Sequence, residues 1–117
     1  MSVHETKRKQ SNIIYVQQAQ QLCEHTFKLT SHFPDAILAS AIKEEVLAIL
    51  CEVRYTLSFS TKNRRETKKH EHNALAHIDA LYALLELAYN NVKPESMEYW
   101  IGLVVQLEES IEKLCAN

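Results

Sequence analysis

Apolar residues recur every three or four positions along four stretches of this 117-residue chain, and short polar or proline-containing breaks separate the stretches. That spacing matches the 3.6-residue turn of a helix and not the alternation of a strand. In the first stretch, about residues 12–30, Val16, Ala19, Leu22, Cys23, Phe27 and Thr30 fall on one face. "SHFPD" ends it, because Pro34 disfavours a helical conformation at Phe33. The second, about 35–60, carries Leu38, Ile42, Val46, Ile49, Leu50, Val53 and Leu57. The third, about 63–90, carries Leu75, Ile78, Leu81, Tyr82, Leu85 and Ala88, and fades at "YNN". Asn90, Asn91 and Pro94 mark a turn, with Pro94 suited to the first position of a fourth helix over about 94–115. There Met97, Trp100, Val104, Leu107, Ile111 and Leu114 alternate steps of three and four.

Long amphipathic helices with short connections favour antiparallel neighbours. The expected fold is therefore all-α, an antiparallel up-down-up-down four-helix bundle over residues 12–117, preceded by a basic tail over 1–11. One Gly and two Pro are too few for the many tight turns of a sheet protein. Ile37, Leu47, Leu84, Leu87, Tyr89, Ile101 and Val105 lie off the stripes. A second partial stripe on helices 3 and 4 predicts a subunit interface, unless broad bundle faces absorb these positions. Gly102 lies inside helix 4, where it costs about 1 kcal/mol relative to Ala; a close helix approach would explain it.

Charge changes the picture at one place. "TKNRRETKKHEH", residues 61–72, holds five Lys/Arg and two His in a chain of formal net charge −2. Carried backwards, the helix 3 stripe meets Glu71, Lys68 and Arg64, so the segment is polar all round and is expected to project past the core. Asn63 with Glu66 three residues later resembles a capping box, placing the helix start there. In the up-down order helices 1 and 3 begin at the same end. Lys7, Arg8 and Lys9 then join Lys62, Arg64, Arg65, Lys68 and Lys69, eight of the thirteen cationic residues. Such a patch can bind phosphate backbone without base specificity. Helix 4 ends nearby, so Glu108, Glu109 and Glu112, with Glu52 of helix 2, offer a rival use as internal counter-charges.

Other chemistry finds little support in the sequence. His70 and His72 point to different sides of a helix; His70 and His77 share a face, but no carboxylate pattern completes a metal site, and no metal or cofactor is expected. Glu-x-x-His pairs, a Gly-rich phosphate loop, G-x-S-x-G and H-E-x-x-H are all missing. Cys23, Glu24 and His25 diverge around their helix, so no enzyme is expected. Cys23, Cys51 and Cys115 read as small hydrophobes on or beside the stripes. Tyr82, Tyr89, Tyr99 and Trp100 form an aromatic group at the end away from the basic segment, for packing or, less simply, for base stacking. No apolar run is long enough to span a bilayer and no signal-type stretch follows the basic start, so the expected location is cytoplasmic.

The layout from Tyr15 to Leu114 resembles one known family. A short first helix, "FPDAILASAIKEEVLAIL" opening on Phe33–Pro34, a polar linker, "ALAHIDALYALLELAYN" and a Pro-containing turn into helix 4 are similar to a family of four-helix bundles. It includes the accessory variability determinant (Avd) protein of diversity-generating retroelements and the protein encoded in intervening sequences of bacterial large-subunit ribosomal RNA. The resemblance implies a homopentameric barrel of bundles. For an Avd-like member it implies a non-enzymatic accessory protein that binds a reverse transcriptase and its RNA through basic surface. The alternative is a protein-binding or structural bundle, of the intervening-sequence type, with no nucleic-acid partner.

Overall fold

The computed structural model describes the backbone over residues 3–59 and 63–116, and side chains over 14–57 and 63–116. These residues form four helices and no strand: α1 (Val3–Thr30), α2 (Ala36–Phe59), α3 (Arg64–Leu87) and α4 (Pro94–Ala116). A 3₁₀ turn, Tyr89–Asn91, separates the last two. α1 packs on α2 and α4, and α3 packs on the same two, so the four enclose one core. The described chain is a four-helix bundle.

The breaks behave as the sequence predicts. Asp35 Oδ1 accepts the backbone N–H of Ile37 at 3.0 Å and of Leu38 at 3.1 Å, satisfying donors at the start of α2 that lack a helical partner. Asn63 does the same for Glu66 at 3.1 Å. Pro94 is the first residue of α4. α1, however, begins at Val3, so residues 3–11 are not a separate tail; "HETKRKQ" contains good helix formers and neither Gly nor Pro.

Buried side chains follow the stripes closely. Val16, Ala19, Leu22, Ile42, Val46, Ile49, Val53, Ile78, Leu81, Leu85, Met97, Trp100, Val104, Leu107 and Ile111 make the core. Phe27 departs from its expected place: it is 43% exposed, and Thr26 is buried instead. The reason is polar. Trp100 Nε1–H, buried with its ring, needs an acceptor, and Thr26 Oγ1 supplies one at 2.9 Å. Tyr15 is also buried, its hydroxyl hydrogen-bonded to Thr56.

Candidate nucleic-acid interface

The first turns of α3 are not the wholly solvated segment that their composition predicts. Thr67 and Glu71 are buried, Glu71 at 5% exposure, so the core stripe of α3 continues back into its first turn. Thr67 manages this by donating its hydroxyl to the Asn63 carbonyl at 2.9 Å. Glu71 is covered by the end of α4, where the Cys115 thiol hydrogen-bonds to its carboxylate. Its Oε2 is buried with no partner.

With that face inside, the cations divide. Arg64, Arg65 and Lys69 are exposed, as is His72, while Lys68 is half-buried beside Cys115. Arg65, Lys69 and His72 stand four and three residues apart, which aligns them along one outward row. Arg65 and Lys69 make no ion pair with a described residue. Of the expected counter-charges, Glu108 instead accepts the Tyr82 hydroxyl at 3.0 Å. Burial and that hydrogen bond push the Tyr82 phenol well above its ordinary range. Glu52 is also engaged elsewhere, by a histidine. Lys62 and the side chains of Lys7, Arg8 and Lys9 lie outside the described residues.

His70 and His77 share a face, as their spacing requires, and that face meets α2. His70 Nδ1–H bonds to Glu52 at 2.5 Å and His77 Nδ1–H to Glu45 at 2.8 Å. Both pairs are seven residues apart on each helix, so they form two clasps one heptad apart along the α2–α3 seam. Each histidine has its own carboxylate, and among the described residues no three His, Cys, Asp or Glu side chains come together as metal ligands. Tyr55 of α2 lies against the His70 ring, with centroids 4.9 Å apart and planes tilted by 33°. Sequence reasoning passed over Tyr55, because its neighbour is set by the register between two helices.

Elsewhere the predicted packing roles hold for some residues and not for others. Trp100 is in the core, Tyr99 is exposed with its ring edge-on to His25, and Tyr89 is exposed. Trp100 thus takes the packing role expected of it, with Phe33 edge-on to its ring. Burial, then Lys28, lowers the pKa of His25, whose Nε2 is enclosed without a partner. The cysteines differ from one another: Cys23 is buried and donates to the Val46 carbonyl at 3.3 Å, Cys115 is half-buried, and Cys51 is exposed, against the expectation of a small hydrophobe. Desolvation pushes the Cys23 thiol up to about 11. Desolvation and the Glu71 hydrogen bond push Cys115 up to about 12. A Cβ placed on Gly102 would meet nothing within 4 Å, so no approach inside this chain accounts for the glycine. Ile37 is 84% exposed, beside a shallow hollow on α2 lined by Ala36, Ser40, Ala41 and Glu44. No described helix is long and apolar enough to cross a membrane.

No protein-family model matches the sequence, and no curated protein matches it significantly. Among solved structures, the chain is similar to a protein of unknown function from the S23 ribosomal protein family of Bacteroides thetaiotaomicron VPI-5482. The TM-score is 0.83 at 11% sequence identity, over 92% of this chain and 99% of the other. At that identity the likeness is one of fold.

Proposed function

We propose that this chain is a non-enzymatic, self-associating helical adaptor that binds RNA through the first turns of α3. On the Avd-like reading its further partner is a reverse transcriptase, and the assembly is a homopentamer. The observation that carries the RNA reading is the row Arg65, Lys69 and His72, held outward on a helix whose opposite face is anchored by Thr67 and Glu71. Its two cations, Arg65 and Lys69, make no ion pair with a described residue and so raise the local potential for an arriving polyanion. The structural neighbour's family is named for a ribosomal protein, a setting rich in RNA.

Up-down-up-down order is supported by the contact pairs. Tyr15 meets Thr56 while Cys23 meets Val46. His70 meets Glu52 while His77 meets Glu45. Glu71 meets Cys115 while Tyr82 meets Glu108. In each case numbers rise on one helix as they fall on its neighbour. Exposed Leu87 and half-buried Ile101 and Val105 supply apolar surface for association.

Charge reversal tests the assignment. Arg65→Glu with Lys69→Glu should reduce RNA retention at least tenfold and flatten its salt dependence, with helix content and oligomer size unchanged. Unchanged retention removes these residues from the interface. The exposed Ile37 and its hollow favour a second reading, a bundle that binds only protein; absence of RNA binding by the wild type at about 50 mM salt would select it.

A further inference from the structure

The Tyr55–His70 stack adds an aromatic surface to the charged one. Tyr55 is 50% exposed, so its ring is half in contact with the protein and half in solvent. Beneath it, His70 is fixed through its Nδ1. Its Nδ1 is bonded to Glu52, and its Nε2 stands 3.9 Å from Glu66, one helical turn back. Only 15% of the His70 side chain is exposed. Tyr55 therefore rests on a clamped ring and need not be ordered when a ligand arrives, which removes part of the entropic cost of binding. Lys69 directly precedes His70 on α3, and Arg65 lies one turn earlier on Lys69's row. The aromatic platform thus stands on α2 against His70, and the cationic row runs about 100° round α3 from His70, on its solvent side.

We infer that Tyr55, backed by His70, is a base-stacking platform and that the RNA recognised at the start of α3 is single-stranded. This rests on the RNA-binding reading above. Lys69 and Arg65 hold the backbone while an unpaired base covers the open part of the Tyr55 ring. Every base has a π-face, so such a platform needs no particular sequence. A duplex keeps its bases stacked on one another and offers the ring nothing but backbone. The carboxylates of Glu52 and Glu66 lie on the His70 side of the stack. They repel phosphates there, which leaves the neutral base over Tyr55 and directs the backbone toward Lys69.

The test uses the full chain and a dye-labelled single-stranded oligoribonucleotide of mixed sequence, free or annealed to its complement, by fluorescence anisotropy. The single strand should bind about tenfold more tightly than the duplex. Tyr55→Ala should remove about that factor for the single strand, leave duplex binding unchanged and preserve the slope of affinity against salt. Tyr55→Phe, which keeps the ring and drops the hydroxyl, should bind as the wild type does. Equal binding of single strand and duplex overturns the inference. So does a Tyr55→Ala variant with wild-type affinity, or a Tyr55→Phe variant as weak as Tyr55→Ala. In those three cases RNA is still bound, and the function proposed above stands. A wild type that binds neither probe overturns both.

Discussion

Replacing Glu71 by Met should make the protein more stable, although Glu71 is among the most enclosed polar residues on α3. The Cys115 thiol hydrogen-bonds to its carboxylate, and Oε2 is enclosed without a partner. An enclosed polar atom without a hydrogen bond costs about 1–3 kcal/mol, and an apolar side chain of similar volume removes that cost. Met matches Glu in length and in helix propensity, so neither a cavity nor a backbone term enters. Against the gain stands the loss of one weak thiol hydrogen bond, worth under about 1 kcal/mol. The net expectation is a gain of about 1–2 kcal/mol. For a domain of this size that raises the melting temperature by roughly 4–8 °C. Thermal and urea melts followed by circular dichroism measure it, with Glu71→Gln as the uncharged control near wild-type stability. A Glu71→Met protein less stable by about 1 kcal/mol or more, with an unchanged urea slope, would refute the reasoning. Its RNA retention should match the wild type, since the exposed row is untouched.

Two further outcomes follow from residues that the sequence misjudged or left unexplained. Under native conditions near pH 8, a thiol reagent should modify Cys51 rapidly and Cys23 and Cys115 slowly, because Cys51 is exposed while the other two thiols are held protonated. Three equally fast thiols in the native protein would contradict those environments. Gly102→Ala should stabilise the isolated chain by about 1 kcal/mol, since the methyl group enters open space within a helix. A chemical melt at a concentration where the protein is monomeric reads this directly, and a loss of stability there would show that the site is crowded.

What the sequence discloses and what it hides divide along a physical line. The core of α2, from Ile42 to Val53, is legible because burial repeats with the helical period and needs no knowledge of a neighbour. The exchange of Phe27 for Thr26 is not legible, because the two differ by one step around α1 and the choice depends on where the Trp100 N–H points. Glu71 misleads for a related reason: a charged residue on a stripe ordinarily ends the stripe, but here the last turn of α4 reaches over it. Of the candidate interface, the cations and the Asn63 cap could be read from composition and spacing. Tyr55 could not, since it lies on another helix and joins the site only through the α2–α3 register. The same register creates the two His–Glu clasps, whose members are separated by 18 and 32 residues in the chain.

The chain has one tryptophan, and its position furnishes an intrinsic optical gauge. Trp100 is fully enclosed between α1 and α4, tied to Thr26, and lies toward the opposite end of α4 from Cys115. Emission from a dry indole shifts to the red when water reaches it. Parting of the α1–α4 seam will therefore change its colour, whereas occupancy of the far end by a ligand will leave it dark to the event. Ligand capture and loss of tertiary structure can thus be told apart in a single cuvette without a label on the protein.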